Sequence, residues 1–153
     1  MQLRPAVLSD VPALSELVRS LAHFYLTDST QTLPFWFADT LTPDAFSARL
    51  QSADYRTLVA AGQNGDLLGY ITLKQPAHLY HLFVREDQHG RGIARALWQQ
   101  LQQQTPAVTP FTLRSSLFAV SVYQALGFVC DGDAGHKDGI GFQPMVLHTA
   151  KPA

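Results

Sequence analysis

His78-Leu-Tyr-His-Leu-Phe-Val-Arg-Glu-Asp-Gln-His-Gly-Arg-Gly-Ile-Ala-Arg-Ala-Leu-Trp98 reads as a β-strand that runs through a glycine turn into a helix. The apolar run Leu79 to Val84 suits a buried strand, and Ala94, Leu97 and Leu101 form the stripe of a following helix. Between them, Gly90 and Gly92 admit backbone conformations and close approaches that a Cβ would block. A turn of this kind aims several free N–H groups at one point, and the positive end of the helix dipole adds to them. The product is an anion cradle able to hold a pyrophosphate through the main chain, with Arg91 and Arg95 as cations beside it.

The chain around this stretch has 153 residues, of which 46% are hydrophobic and 15% charged, enough apolar material for one core; a single domain over 1–153 is expected. A net charge of -1 gives no reason to expect a nucleic acid or an anionic membrane as partner, and a small molecule is expected instead. The lone Cys130 has no internal disulfide partner, and no N-terminal run resembles a signal peptide or a span of about twenty apolar residues. A soluble, cytoplasmic protein is the expectation.

Taken in order, Gln2 to Val7 is a first strand, and Ser9 or Asp10 caps a helix with Pro12 in its first turn. Val11, Leu14, Leu17, Val18 and Leu21 recur at helical spacing along it. From His23 to Phe46 the chain is irregular and rich in rings: Phe24, Tyr25, Phe35, Trp36, Phe37 and Phe46. These rings line a pocket, pack a long loop onto the core, or bury a contact in a homodimer. Thr42-Pro43-Asp44 starts another helix, with Thr42 as its cap. Tyr55 to Ala61 and Leu67 to Lys74 are strands of a hairpin turned at Asn64-Gly65, and Pro76 breaks the chain before the opening strand. After the cradle helix ends near Gln104, Thr105 to Pro110 is a linker and Phe111 begins a strand. Ser115 or Ser116 caps a further helix that stops at Gly127. Phe128 to Cys130 is a short strand, Asp131 to Gly139 a polar loop, and Ile140 to Leu147 the last strand. This order predicts a mixed α/β sheet, parallel at helix crossovers and antiparallel in hairpins.

Two motifs resemble those of the GNAT acetyltransferase superfamily. Val84-Arg-Glu-Asp-Gln-His-Gly-Arg-Gly-Ile-Ala94 is similar to the family's pyrophosphate loop, Gln or Arg, two residues, Gly, one residue, then Gly or Ala. Leu113-Arg-Ser-Ser-Leu-Phe-Ala-Val-Ser-Val-Tyr-Gln-Ala-Leu-Gly-Phe128 is similar to the family's helix ending in Tyr, two residues, Leu-Gly-Phe. The ending Asp138-Gly-Ile-Gly-Phe-Gln-Pro-Met145 resembles a bacterial branch with undefined acceptors. Two positions depart from the pattern: His89 where Gln or Arg is usual, and Arg114 where many members have Asn. A dinucleotide fingerprint is disfavoured because the third glycine and an acidic ribose partner are missing, and an ATP loop because no Gly-Lys-Ser/Thr follows.

The resemblance implies a single-domain fold with a mixed sheet of about six to seven strands flanked by about four helices. It implies acetyl-CoA as co-substrate, no metal, and direct transfer of acetyl to a small-molecule or peptide amine in a ternary complex. An acyl-CoA sensor without catalysis on the same scaffold is the alternative. The cofactor set implied is Leu82, Phe83 and Val84 on the strand, His89, Gly90, Arg91, Gly92, Ile93, Ala94 and Arg95 in the loop and helix start, and Tyr123. By the same resemblance the Leu82 amide, beside a bulge, bonds the acetyl carbonyl, and Tyr123 lies near the sulfur as the acid for the thiolate. A phenol with a pKa of about 10 stays protonated for that task; the other reading is a core tyrosine packed under Phe128. Strand alternation puts His78, Tyr80 and Leu82 on one side and His81 on the other. His78, four before Leu82, occupies a position where some members carry a base; the other reading is a structural residue at a strand end. His81 is expected in the core or behind the residues that touch the ligand, His89 facing solvent, and Cys130 as a small buried hydrophobe.

Overall fold

The computed structural model describes residues 1–28, 30–105 and 110–148; most of the expected Thr105–Pro110 linker lies outside them. The strands are β1 Gln2–Pro5, β2 Tyr55–Ala61, β3 Leu67–Lys74, β4 His78–Val84, β5 Phe111–Ser115, β6 Val129–Cys130, β7 Gly135–Lys137 and β8 Ile140–Leu147. The helices are α1 Val11–Leu21, α2 Phe35–Ala38, α3 Pro43–Leu50, α4 Ile93–Gln103 and α5 Val120–Ala125. The sheet runs β1-β2-β3-β4-β5-β8-β6, with β7 paired to β8. Every pairing is antiparallel except β4 with β5, which the crossover through α4 makes parallel.

Among the described residues eight strands form the mixed sheet of the α/β fold that the sequence predicts, flanked by five helices, with two small additions. Part of the expected polar loop 131–139 is β7, which returns through Asp138 (φ 52) and Gly139 (φ 83) into β8. Asp-Gly with both φ values positive matches the tight hairpin turn that follows strand twist. The other addition is α2, four residues long.

Alternating side chains give the sheet two faces. On one, α4 lays Leu97, Trp98 and Leu101 on Leu58, Ile71, Leu73, Leu79, Phe111 and Leu113. On the other, α1 and α3 lay Leu14, Val18 and Phe46 on Val59, Tyr70 and Phe83. Thr42 caps α3 as expected, its hydroxyl accepting from the Ala45 amide at 3.2 Å. The start of α1 differs from expectation. Leu8–Asp10 forms a 3-10 turn, and the Asp10 carboxylate turns back to the Val7 amide at 2.8 Å and the Arg4 guanidinium at 2.8 and 2.9 Å. A bidentate charged partner outcompetes the free helix amides for that carboxylate.

Register also corrects the reading of β4. Thr72 faces His81 and Leu73 faces Leu79, so Tyr80 is an extra residue, a bulge. The alternation expected for His78, Tyr80 and Leu82 breaks there. Leu82 packs with Leu79 on the α4 face, whereas Tyr80 lies against Tyr55 and the Arg49 guanidinium of α3 on the opposite face. Cys130 is a second correction: it is exposed, on the two-residue edge strand β6.

Candidate active site

β4 and β5 pair only at His78↔Thr112 and Leu79↔Leu113; beyond the Tyr80 bulge they part. A cavity of about 420 Å³ opens in the gap. Leu82, Phe83 and Val84 of β4 form one wall, Ser116, Ala119, Val122 and Tyr123 another, and Leu21, Phe24 and Tyr25 a third. The main chain of β4 is turned toward this gap at alternate residues. The Arg85 amide bonds the Leu68 carbonyl on β3 at 2.8 Å, so two residues at a time along the strand the amides of Val84 and Leu82 point away from β3. The Val84 carbonyl accepts from His89 Nε2 at 2.8 Å, consistent with that direction.

The cavity floor is the glycine turn. Gly90 has φ 79 and Gly92 φ 78, the left-handed region that favours glycine, and Gly92 is the N-cap of α4. A Cβ at either would meet nothing within 4 Å, so conformation and not crowding selects glycine. No amide from Gly90 to Arg95 has an acceptor among the described residues. Six free donors around the N-terminus of an 11-residue helix fit an anionic group such as a pyrophosphate. His89 is exposed, as expected, and its Nε2 also bonds the Val84 carbonyl, closing the turn. Arg95 reaches α5, donating to the Ala125 carbonyl at 2.9 Å. Arg91 stands outside the cavity lining.

Tyr123 lines the cavity at 8% exposure, its ring edge-on to Phe128 at 6.1 Å. Its hydroxyl has no hydrogen-bond partner among the described residues, and burial raises its pKa further above the ordinary phenol value. Tyr25, tilted against Phe83 at 5.8 Å, presents a second phenol on the same cavity with its pKa raised by burial, then by Tyr123 and Tyr80. The sequence signal for Tyr25 was the aromatic run, which does not say which rings turn inward. Phe24 stacks on Phe118 at 4.6 Å on the cavity wall, while Phe35 points out at 81% exposure.

His78 lies outside the cavity lining, at the paired end of the gap. Its Nδ1 is 2.8 Å from Thr112 Oγ1. Burial, then the charges of Lys74 and Arg114, hold its pKa below the usual imidazole value. His81 is partly buried: Tyr70 OH lies 3.0 Å from its Nδ1, and burial, then Arg49, push its pKa down to about 3. Among the described residues no three His, Cys, Asp or Glu side chains group as a metal site, and no helix is long and apolar enough to cross a membrane.

A family model described as an acetyltransferase (GNAT) domain matches residues 26–149. The chain belongs to the GNAT acetyltransferase family. As a GNAT member it is an acyltransferase. It is 30% identical over 132 residues, 82% of each chain, to the peptidyl-lysine N-acetyltransferase YiaC of Escherichia coli. Two solved GNAT folds superpose with a TM-score of 0.76. A GCN5-related N-acetyltransferase from Rhodopseudomonas palustris is 22% identical, covering 97% of this chain and 95% of the other. The PaiA N-acetyltransferase of Thermoplasma acidophilum, solved in complex with coenzyme A, is 16% identical, covering 97% and 98%.

Proposed function

We propose that this GNAT chain, 1–153 acting as one unit, is an acetyl-CoA-dependent N-acetyltransferase that moves acetyl directly to the amine of a small molecule or an exposed peptide lysine. One observation supports this most: the free amides of the glycine turn, the outward amides of β4 and the unpartnered Tyr123 hydroxyl all border one cavity. The YiaC relative's name, a peptidyl-lysine N-acetyltransferase, supports an amine acceptor.

In this reading Gly90, Gly92, Ile93, Ala94 and Arg95 hold the pyrophosphate, with His89 fixing the turn and Arg91 adding charge at its rim. The main chain of Leu82, Phe83 and Val84 lies along the pantetheine arm, and the Leu82 N–H donates to the acetyl oxygen as negative charge grows there. The amine nitrogen bonds the acetyl carbon and the carbon–sulfur bond breaks. The amine's proton passes to His78, through water because the imidazole stands outside the cavity. With Nδ1–H donating to Thr112, the Nε2 lone pair of a neutral imidazole is left as acceptor. Tyr123 gives its proton to the departing thiolate. Calorimetric titration with acetyl-CoA tests the reading: saturable binding at one site per chain is expected, and no binding overturns it.

A further inference from the structure

The departure at Arg114 gains a meaning from where it falls. Register places Tyr55, Lys74, His78, Thr112 and Val146 in one row across β2, β3, β4, β5 and β8. Their neighbours Leu73, Leu79 and Leu113 point into the core, so the row faces the other way. Arg114 is two residues from Thr112 along β5 and therefore on the same face. Lys74, Thr112 and Arg114 are exposed and His78 is half-buried. Two cations thus stand on either side of His78, on the part of the α1/α3 face that those helices leave exposed.

Neither cation has an acidic partner among the described residues. Among the described residues the ion pairs within 4.0 Å are Arg4–Asp10, Arg85–Asp66 and Arg85–Asp87, all elsewhere. Asp54, whose carbonyl takes the Gln75 amide, and Asp131, whose amide bonds the Pro144 carbonyl, lie at the rim without pairing with Lys74 or Arg114. Rings hold the cations instead: Arg114 lies over Phe142 at 4.8 Å and Lys74 over Tyr55 at 5.9 Å. Behind them Arg49 lies over Phe46 at 4.6 Å and Tyr80 at 5.2 Å and donates to the Thr40 carbonyl. The chain as a whole has 12 acidic and 11 basic side chains, so a patch with Lys74, Arg114 and Arg49 and no paired acid among the described residues is a local segregation of charge.

We propose that the acceptor is a peptide lysine flanked on both sides by carboxylates, laid over this row with Lys74 and Arg114 each facing one flank. This rests on the amine-transfer reading and narrows its acceptor. The spacing fits an extended segment. Strands about 4.8 Å apart and residues about 3.3 Å apart put Lys74 and Arg114 about 12 Å from each other, the span of four residues of extended chain. Acidic side chains at two positions before and after the lysine reach both cations. A lysine among basic residues meets like charge on both sides.

The test uses the full chain and peptides with a central lysine flanked at two positions on each side by Glu, Gln or Lys. Acetyl-CoA-dependent kcat/KM should be at least about tenfold higher for Glu than for Gln flanks, lowest for Lys flanks, with the preference shrinking as salt is added. In the variant Lys74→Glu/Arg114→Glu the order should reverse; both side chains are exposed, and a thermal melt checks that the fold is kept. Equal kcat/KM for Glu and Gln flanks, or a preference for Lys flanks, overturns the proposal. A second arm titrates the same peptides, carrying acetyl-lysine at the centre, with and without coenzyme A. Weaker binding of the Glu peptide to the double variant supports the proposal even if turnover is absent, and equal binding overturns it. Failure of coenzyme A itself to bind overturns the transferase reading separately.

Discussion

In the proposed transfer Tyr123 and His78 take opposite ends of the proton path, and the surroundings of each suit that end. Burial keeps the Tyr123 phenol protonated, so Tyr123→Phe should lower kcat by about 10²-fold with acetyl-CoA affinity little changed, read by steady-state rates beside calorimetry. Unchanged kcat would hand the proton to Tyr25 or to water. His78 must be neutral to accept a proton, and its pKa lies below the ordinary imidazole value of about 6.5. Activity should therefore be present above that depressed pKa and fall as pH drops through it. His78→Ala should remove this acid limb of the kcat/KM profile; an unaltered limb and rate would make His78 structural. Tyr123 was legible in the sequence because its motif fixes it one turn before Leu126-Gly127. Thr112 was not, since only the pairing of β4 with β5 brings its hydroxyl to His78.

The strand, turn and helix from His78 to Gln103 work as one element, and the sequence exposed most of it. Periodicity located the strand and α4, and the glycines located the turn. Strand alternation alone shows no bulge, because an extra residue leaves no trace in an apolar pattern; the resemblance implied one beside Leu82, and the register with β3 places it at Tyr80. The turn makes its own prediction. Gly92→Ala forces an L-residue into φ 78, costing about 1–2 kcal/mol, while its methyl meets no neighbour. Urea unfolding should show that loss as a lower midpoint with unchanged slope, together with weaker acetyl-CoA binding. Full stability with full affinity would show that the backbone relaxes there.

Across the whole molecule the element order followed from periodicity and turn residues, but the order of strands in the sheet did not. Which edge β6 takes, and that β4 and β5 part after two pairs, depend on pairings between residues far apart in the chain, which no local pattern carries. A sheet parted in its middle gains when a ligand fills the gap. At a hundredfold excess over its Kd, acetyl-CoA should add about 2.7 kcal/mol, raising Tm by about 5–10 °C for a chain of this size, as a thermal melt will show. A shift absent at saturating ligand would mean that the folded chain does not bind it. The segment between α1 and α3 is strapped to the β7–β8 turn: Leu26 bridges Ile140, the Thr27 amide donates to the Gly139 carbonyl at 2.9 Å, and the Trp36 indole N–H donates to Asp138 at 2.7 Å. The chain has two tryptophans, Trp98 at 3% exposure in the core and Trp36 at 40% on this strap. Their emission comes from a dry and a wet environment, and iodide will quench the strap's indole first. The protein therefore has its own optical reporter: any movement of the strap away from Asp138 is readable as a change in intrinsic fluorescence, with no label attached.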